Sequence, residues 1–432
     1  MPEFLHLSPP VEAINILLQS LPENPPAIEK VETQNALGRI LAEDLTAPFP
    51  LPEFPRSTVD GYALRAKDTF GTSDSLPGYL KYAGEIPMGA APSFNLLPGQ
   101  CALIHTGGMI PIGADAVIMV ENTQMVEGNN PHDGTGEKPS LTEIEILRAV
   151  GIGENVLQVG EDVNANQVVL STGTKLRPAE IGGCMALGIT KLDVARKPVI
   201  GLISSGDEVI PPDIPSKTGQ VHDVNSYSLA ALVQASGGDP KLYGIVPDNM
   251  ETMVQKASIA LSECDALVIT AGSSASSRDM TVEAIRRLGS PGVLVHGINV
   301  HPGKPTILGV CDGKAVIGLP GNPVSALVIA SLFLMPVVGK LTGEKIRTKP
   351  PILAKLSVNI ASRAGREDWV VVKLVEKKRK ELSGDGMDLW EACPVYGKSN
   401  FIFSLASADG LVRIPTEVTG FGAGDLVEVI LI

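Results

Sequence analysis

A pattern of strand, loop and helix occurs three times between residues 199 and 340, and it constrains the fold more than any other feature. Short apolar runs at Val199–Ile203, Ala266–Ile269 and Ala315–Ile317 each lead into a loop rich in glycine, serine or proline. Helical patterns follow, directly or after a short irregular stretch. This alternation predicts a doubly wound α/β domain with a parallel sheet. In such a sheet the loops meet at the carboxyl ends of the strands, where ligands bind. We therefore predict that the three loops form one site.

The composition of these loops suits an anion. They are Ser205-Gly206-Asp207-Glu208, Ala271–Asp279 and Leu319–Ser325. Bare backbone N–H groups and helix N-termini favour negatively charged ligands. Carboxylates such as Asp207, Glu208 and Asp279 could also hold a hard divalent cation. For the first loop a plain helix N-cap followed by a first-turn acid is an equal alternative. We predict a site for a phosphate or a similar oxyanion, with a metal beside it.

Charge and cysteine content exclude several classes of function. The chain of 432 residues has a net charge of −13 and only 4% aromatic residues. Nucleic acids and anionic membranes bind to basic faces, so neither is an expected partner. The five cysteines form no CxxC pair, which argues against a zinc knuckle or a redox pair and favours a reducing, cytoplasmic compartment. The apolar run Val324–Gly339 contains Pro336 and is better explained as a buried helix than as a membrane span.

Changes in sequence texture divide the chain. A helix is expected to begin near Ser8, with Ser8 as its cap and Pro9 in the first helical position. Thr33–Leu41 is a second short helical pattern, and Pro178–Leu187 predicts a third helix. Short apolar runs between turns predict a mostly β lobe and a small C-terminal β-barrel or sandwich. The predicted domains are a helical and extended linker domain (1–47 and 148–182), the β-rich domain (48–147), the α/β domain (183–345) and the C-terminal β domain (346–432).

Two proline-rich loops stand out within the α/β region. His301-Pro302-Gly303-Lys304-Pro305 and Gly318–Ser325 each have prolines on both sides of a turn. Prolines limit the freedom of the unfolded chain, so such loops are held rigidly. Lys304 and His301 would add positive charge for an anion. Alone, each of these two side chains would more often be solvated or structural.

Together with motifs in the β lobe, these stretches resemble the molybdopterin molybdotransferase family, which includes bacterial MoeA and the gephyrin E-domain. The motifs follow one another in the family's order along most of the chain. They are Thr58-Val59-Asp60-Gly61-Tyr62-Ala63, Thr106-Gly107-Gly108 with Pro111 and Gly113–Val117, Gly160-Glu161-Asp162, Ser205–Glu208, Asp223 with Asn225-Ser226, Pro302–Pro305, and Gly318–Ser325.

The resemblance implies a function in molybdenum cofactor biosynthesis. Members of the family take adenylylated molybdopterin and molybdate, cleave the phosphoanhydride, release AMP and leave molybdenum on the pterin, with Mg²⁺ assisting. The resemblance also implies a homodimer of four-domain subunits, with the α/β domain binding molybdopterin. Further partners would be a molybdopterin adenylyltransferase and molybdoenzyme chaperones.

The same resemblance assigns roles to individual residues. The implied catalytic residues are Asp60, Thr106, Asp162, Glu208 and Asp248, the first three reaching in from the partner subunit. The implied metal ligands are Asp207, Glu208 and Asp279. The implied pterin- and molybdate-binding residues are Ser205, Gly206, Asp207, Gly272, Ser273, Ser274, Asn225, Pro302, Lys304, Pro320, Pro323, Ser325, His301, Arg366 and Ser399.

Two departures from the family pattern leave an alternative open. The second loop is one residue shorter than usual and has no acid before Arg278, so Asp279 is its only acid. His301 stands where the family often has lysine. A non-catalytic binding or scaffold member of the same family is therefore the second hypothesis. Adenylyl transfer is disfavoured, because the chain has extra domains and no Thr-Gly-Gly-Thr-Gly loop.

Overall fold

A computed structural model describes residues 7–127, 142–271, 275–345, 350–376 and 390–432. The chain forms two compact units. The first contains Met1–Glu43, Thr172–Ile181 and Thr190–Ile432, and the second contains Asp44–Ser171 and Gly182–Ile189. Gly272, Ser273 and Ser274, which the sequence assigns to the pterin site, lie outside the described residues.

The helices of the described residues are α1 (Pro10–Ser20), α2 (Pro178–Ala186), α3 (Asn225–Ala235), α4 (Met250–Glu263), α5 (Ala275–Leu288), α6 (Pro323–Thr342) and α7 (Ile402–Ala406). The strands are β1 (Ile28–Glu32), β2 (Leu45–Thr46), β3 (Arg56–Ser57), β4 (Gly61–Leu64), β5 (Gly78–Glu85), β6 (Gln100–Ile104), β7 (Ala116–Met119), β8 (Thr123–Glu127), β9 (Thr142–Ile146), β10 (Val156–Leu157), β11 (Val168–Leu170), β12 (Lys191–Ala195), β13 (Val199–Ser205), β14 (Val209–Ile210), β15 (Val221–His222), β16 (Asp239–Val246), β17 (Ala266–Ala271), β18 (Pro291–His296), β19 (Val300–His301), β20 (Ile307–Cys311), β21 (Lys314–Pro320), β22 (Ile352–Leu356), β23 (Ile360–Ala361), β24 (Glu367–Glu376), β25 (Trp390–Pro394), β26 (Gly410–Ile414), β27 (Gly420–Phe421) and β28 (Leu426–Leu431).

The first unit is built on a six-stranded sheet with the order β16-β13-β17-β21-β20-β18. Strands β16, β13, β17 and β21 are parallel, and β20 and β18 run antiparallel at one edge. Both faces of the sheet are covered by apolar side chains from helices, with α1, α3 and α6 on one face and α4 and α5 on the other. Strands buried on both faces need the continuous apolar runs seen in the sequence. The predicted doubly wound α/β domain is confirmed.

Helix α6 passes behind the third loop. Pro323 occupies its first position, where the missing N–H has no cost, and Gly343 ends it in the left-handed conformation at φ +68°. In the described chain α6 is the one helix long and apolar enough to cross a bilayer, yet 61% of its most apolar window is buried inside the protein. Packing in the core accounts for its composition, as the sequence predicts.

The C-terminal region of the first unit is a closed barrel. Its sheet runs β24-β25-β22-β28-β26, and β26 pairs again with β24. The interior is apolar, with side chains such as Val372, Val412 and Val429 fully excluded from solvent. Strand β19 pairs in parallel with the start of β24 outside the closed ring. The predicted barrel is confirmed.

The second unit is the predicted β lobe. Its sheet has the order β7-β4-β6-β5-β9-β8, with β5 and β6 parallel and the other pairs antiparallel. Apolar clusters cover both faces. Gly61 in β4 lies so close to its neighbour that a Cβ atom there would be 1.8 Å from the Ile118 carbonyl oxygen. Only glycine therefore permits this strand to pair at the Asp60-Gly61 motif.

The structure corrects three local predictions near the N-terminus. Pro10 rather than Pro9 is the first residue of α1, and Ser8 does not cap it. The Ser8 N–H instead donates to the Gly297 carbonyl. The pattern at Thr33–Leu41 forms only a single 3₁₀ turn, Thr33–Asn35. Its later N–H groups donate to residues far away in the chain, for example Leu41 to Thr174, so tertiary hydrogen bonds replace the helical ones.

The structure also corrects two predictions for the loops of the α/β domain. Asp207 and Glu208 do not begin a helix, because the short strand β14 follows them and α3 begins only at Asn225. The stretch Ala271–Asp279 is not a loop throughout, since α5 begins at Ala275. The helix-cap alternative for the first loop is therefore wrong.

Glu180 in the first turn of α2 offers a test of the fold's electrostatics. Its side chain is 8% exposed and accepts hydrogen bonds from the Arg177 N–H (2.9 Å) and guanidinium (2.6 Å). The Arg177 side chain is the main cause that lowers the pKa of Glu180 from 4.5 to about 2. This stabilisation is complete above pH 4.5 and is lost as the pH falls toward 2.

We expect Glu180→Gln to lower the free energy of unfolding by about 1–3 kcal/mol at pH 7. The difference from the original protein should shrink as urea melts are repeated at lower pH. Glu283→Gln is the matched control, because Glu283 is 41% exposed and pairs with Arg286 and Arg287 on the surface of α5. It should change stability by less than about 0.5 kcal/mol. A difference for Glu180→Gln that does not depend on pH would contradict the role of its charge.

Candidate functional site

The three loops begin side by side at one edge of the parallel sheet. Ser204 lies opposite Thr270 in the register of β13 and β17, and Ala271 lies opposite Pro320 in that of β17 and β21. In the sheet, β13 lies between β16 and β17. The chain passes from β13 to β16 on one side of it and then to β17 on the other side. The crevice of a doubly wound sheet forms at this reversal, so the candidate site lies beyond the ends of β13 and β17.

Four buried polar side chains form the floor of this crevice. The Ser204 hydroxyl donates to Asp223 Oδ1 (2.9 Å) and lies 3.0 Å from the Ser226 hydroxyl and 3.1 Å from the Thr270 hydroxyl. The Ser226 N–H donates to the same Asp223 oxygen at 3.0 Å. A network in which every member has a partner holds the strand ends and the start of α3 in one arrangement.

Two buried oxygen atoms beside this floor have no partner among the described residues. They are Ser205 Oγ and Asn225 Oδ1. The Asn225 amide group is oriented, because its Nδ2 donates to the Gly321 carbonyl at 2.8 Å. Its Oδ1 can therefore only accept a hydrogen bond. An unpaired buried acceptor costs about 1–3 kcal/mol, so a ligand that presents an N–H or O–H donor would be stabilised here.

Acidic side chains lie at the ends of β13 and β16. Asp207 Oδ1 accepts a hydrogen bond from the Asp248 N–H at 3.1 Å. Burial, and then the charges of Asp207 and Glu208, raise the pKa of Asp248 above 3.8. The three carboxylates thus repel one another across a short distance. A hard cation would relieve this repulsion.

A cation would have to complete its coordination with ligand oxygens. In the described ranges no group of three or more histidine, cysteine, aspartate or glutamate side chains is arranged to hold a metal ion. Mg²⁺ commonly uses one or two carboxylates together with phosphate oxygens of a substrate. Asp207 and Asp248 fit that kind of partial site. Asp279 lies within α5 and is exposed, so it is not part of the loop itself.

The two proline-rich loops enclose a cavity of about 220 Å³ next to the end of β21. It brings together six of the residues that the sequence singles out. They are His301, Pro302, Lys304, Pro320, Ser325 and Ser399. Gly303 between them packs directly against α6, because a Cβ atom there would lie 2.2 Å from Ile329 Cγ1. This part of the cavity wall therefore packs against the apolar core.

The third loop joins this cavity to the C-terminal region. The Asn322 amide donates to the Ser399 hydroxyl (3.0 Å), and the Val324 N–H donates to the Ser399 carbonyl (3.0 Å). Ser325 is buried in the first turn of α6, two residues after Pro323. The N-terminus of a helix carries a partial positive charge and attracts anions. Together with the ammonium of Lys304, this end of the cavity suits an oxyanion.

His301 does not supply the positive charge that its sequence context suggests. Burial lowers its pKa below 6.5, and the nearby Arg366 guanidinium lowers it further, against the opposing effect of Asp368. His301 is therefore neutral at pH 7. Arg366 donates from Nε and Nη2 to Asp368 at 2.7 and 2.9 Å. Its charge is already balanced by that carboxylate.

The second unit holds a separate polar constellation at the end of its sheet. Asp60 precedes β4 and Thr106 follows β6, and the two strands pair with Gly61 opposite Ile104. Asp60 Oδ1 accepts from the Thr106 N–H (2.7 Å) and hydroxyl (3.1 Å). These bonds are the main cause of a lowered pKa of Asp60. Asp162 is exposed, and its N–H donates to the Leu51 carbonyl.

Two further side chains belong to this constellation and were not predicted from the sequence. His105 Nδ1 lies 3.9 Å from Asp60 Oδ1, and its Nε2 lies 3.1 Å from Glu85 Oε1. A signal for His105 exists, because it directly precedes the Thr106-Gly107-Gly108 motif. No comparable signal exists for Glu85, which comes from the far end of β5.

Comparisons with known proteins identify the family of this chain. Three family models match in order: "MoeA N-terminal region (domain I and II)" at residues 9–188, "Probable molybdopterin binding domain" at 201–340 and "MoeA C-terminal region (domain IV)" at 353–432. A Methanocaldococcus jannaschii protein whose name assigns it to molybdopterin biosynthesis is 36% identical, over 94% of this chain and 92% of its own.

Two further relatives extend the match to an enzyme and to a solved structure. A Haemophilus influenzae protein named molybdopterin molybdenumtransferase is 32% identical, over 94% of this chain and 96% of its own. The crystal structure of a molybdopterin biosynthesis MoeA protein from Pyrococcus horikoshii is 31% identical with a TM-score of 0.81, covering 99% of this chain and all of that one (100%). The chain belongs to the MoeA family.

Proposed function

We propose that this protein is a molybdopterin molybdenumtransferase of molybdenum cofactor biosynthesis. It takes adenylylated molybdopterin and molybdate, cleaves the phosphoanhydride with the assistance of Mg²⁺, and releases AMP. The family membership supports the coarse function, and the relatives named molybdopterin molybdenumtransferase support the class of reaction.

The observation that carries the proposal is a pair of buried atoms at the sheet reversal that have no partner in the described part of the chain. The Asn225 acceptor needs a hydrogen-bond donor from the ligand, and Ser205 offers a hydroxyl beside it. A pterin ring presents N–H donors, whereas a fully ionised phosphate ester presents none. The crevice therefore suits a ligand with a donating ring and an anionic tail.

The anionic parts of the substrates fit the two ends of this edge. Molybdate suits the cavity of Lys304, Ser325 and Ser399, where an ammonium and a helix N-terminus face it. The phosphates suit the carboxylates Asp207, Glu208 and Asp248 only if a cation lies between them. Bound there, Mg²⁺ would neutralise charge that develops on the leaving phosphate.

We also propose a homodimer in which the second unit of each subunit supplies Asp60, Thr106 and Asp162 to the crevice of the other. Asp60 is ionised at neutral pH because Thr106 donates two hydrogen bonds to it. Held in this way, its carboxylate can orient the attacking group and accept a proton from it. We also propose a cytoplasmic location, as the cysteine pattern of the sequence indicates.

The test is AMP release from adenylylated molybdopterin, followed by chromatography. We expect AMP to form with Mg²⁺ and molybdate together, and to fall to background when EDTA is added or when sulfate replaces molybdate. Purified protein that binds the adenylylated pterin but releases no AMP would instead favour the non-catalytic scaffold. The short second loop is the feature that supports the scaffold alternative.

A further inference from the structure

The barrel places a buried carboxylate directly behind the wall of the oxyanion cavity. Asp368 in β24 is 4% exposed. Strand β19, which carries His301, pairs in parallel with β24 and aligns His301 with Asp368. Two more hydrogen bonds tie the strands together at this point. The Glu367 N–H donates to the Asn299 carbonyl at 3.2 Å, and the Asn299 amide donates to the Gly365 carbonyl.

Both oxygens of Asp368 are engaged. Oδ1 accepts from Arg366 Nε at 2.7 Å, and Oδ2 accepts from Arg366 Nη2 at 2.9 Å and from the Ser362 hydroxyl at 2.8 Å. His301 Nδ1 lies 3.7 Å from Oδ1. One carboxylate thus contacts a guanidinium from its own segment and lies beside the imidazole that lines the cavity.

The forked pairing fixes the orientation of Arg366. It engages Nε and Nη2 and leaves the Nη1 hydrogens out of the pair with Asp368. An arginine that is already ordered loses less conformational freedom when a ligand binds. The neighbouring His301 imidazole lies on the cavity wall, and its strand is in register with Asp368.

We propose that Asp368 is a positioning residue for the oxyanion site. It holds the Arg366 guanidinium beside His301, whose imidazole lines the cavity, so that a tetrahedral oxyanion binds without having to order them. The inference rests on the proposed function, because it takes that oxyanion to be molybdate.

The adjacent residue provides a matched control. Glu367 is also 4% exposed and also pairs with one arginine, since its Oε2 accepts from Arg413 Nε and Nη2 at 2.9 and 2.7 Å. Its other oxygen accepts from Trp369 Nε1 at 2.8 Å. His301, which lies 3.7 Å from Asp368, lines the cavity, whereas neither Arg413 nor Trp369 does. Glu367 and Asp368 are thus alike in burial and pairing but differ in what they hold.

The experiment compares Asp368→Asn with Glu367→Gln in the full-length protein. Two quantities are measured, namely the molybdate concentration that gives half-maximal AMP release and the KM for adenylylated molybdopterin. We expect Asp368→Asn to raise the half-maximal molybdate concentration about tenfold, equivalent to about 1.4 kcal/mol, and to leave the KM for adenylylated molybdopterin unchanged. Glu367→Gln should change neither, although both variants should lower the melting temperature.

A second measurement separates failure of this inference from failure of the proposed function. Calorimetric titration with sodium molybdate alone, and with sulfate for comparison, reports binding without catalysis. If the original protein releases no AMP, the proposed function fails, but weaker molybdate binding by Asp368→Asn than by Glu367→Gln would still support the inference. Equal effects of the two variants in both assays would overturn it.

A milder variant covers the case in which Asp368→Asn does not fold. Ser362→Ala removes one donor to Asp368 and leaves the Arg366 pair in place. It should weaken molybdate binding about threefold, in the same direction and again with no effect on the KM for the pterin. No change in Ser362→Ala, when Asp368→Asn cannot be measured, would count against the role assigned to Asp368.

Discussion

Replacing Asp60 with asparagine should lower the rate of AMP release by about 10²- to 10³-fold while leaving the fold intact. The change removes a negative charge but keeps an oxygen that can accept from Thr106. Loss of a proton-accepting or orienting group costs a factor of this size in rate. Stability should change little, because the Asp60 side chain is 64% exposed and belongs to no apolar cluster.

The pH dependence of the original enzyme follows from the same contact. Hydrogen bonds from Thr106 lower the pKa of Asp60 below 3.8. The carboxylate is therefore ionised throughout the neutral and mildly acidic range. Protonation of Asp60 should not limit the rate until the pH falls below about 3.8, provided that the fold persists there.

Asp68 supplies the control for this experiment. It lies in the same unit, is 14% exposed, and accepts hydrogen bonds from the Arg65 guanidinium (2.6 Å) and the Gly99 N–H (2.8 Å). Asp68→Asn should show the opposite pattern, with a lower melting temperature and nearly unchanged turnover. Equal losses of turnover in the two variants, or a large fall in melting temperature for Asp60→Asn, would mean that Asp60 is structural.

The second large effect is expected on stability. Gly303→Ala should lower the free energy of unfolding by about 3 kcal/mol or more. Gly303 has φ +118°, a conformation that residues with a Cβ atom rarely adopt. The new Cβ would also lie 2.2 Å from Ile329 Cγ1 and 2.3 Å from its Cδ1. Overpacking of a core commonly costs about 1–3 kcal/mol, and the backbone strain adds to it. Urea melts would measure the loss.

Gly237→Ala separates the two causes. Gly237 has φ +91°, but nothing lies within 4 Å of the position its Cβ would take. Only the backbone strain remains there, so the loss should be about 1 kcal/mol. If both glycine variants lower the free energy of unfolding by the same amount, the contact with Ile329 does not cause the loss in Gly303→Ala. Ile329→Ala combined with Gly303→Ala should then also fail to recover stability, whereas relief of the contact predicts a less than additive loss.

Much of the fold could be predicted, because it depends on local pattern. Buried strands are apolar throughout and helices show a helical period, so the α/β core, the β lobe and the barrel are all recognisable. Helix α6 is an example. Its proline start, its apolar length and the glycine that ends it all lie in one continuous stretch of sequence. Prediction failed where distant partners decide the conformation. At Thr33–Leu41, carbonyls near residue 174 receive the N–H groups that a helix would have used internally.

The candidate site likewise contains residues that local motifs predict and contacts that depend on distant parts of the chain. Motifs identify Asp60, Thr106, Lys304 and Ser325, because each stands beside turn-forming residues at the end of a strand. The neutral state of His301 could not be predicted, since it follows from burial and from an arginine 65 residues later in the chain. The pairing of His105 with Asp60, and that of Asp223 with Ser204, likewise depend on strand registers that no short motif specifies.

Local sequence was enough to predict most elements and the loops that stand together at one edge of the parallel sheet, because hydrophobic period and turn chemistry act between near neighbours. The tertiary structure alone decided which polar groups meet, and therefore which of them carry charge. Among the described residues it left Asn225 Oδ1 and Ser205 Oγ without partners at the reversal of the sheet, and it placed Asp368 beside His301 and Arg366. The reason is physical: protonation and hydrogen-bond satisfaction depend on distance and desolvation, and these are set only when remote strands are brought into register.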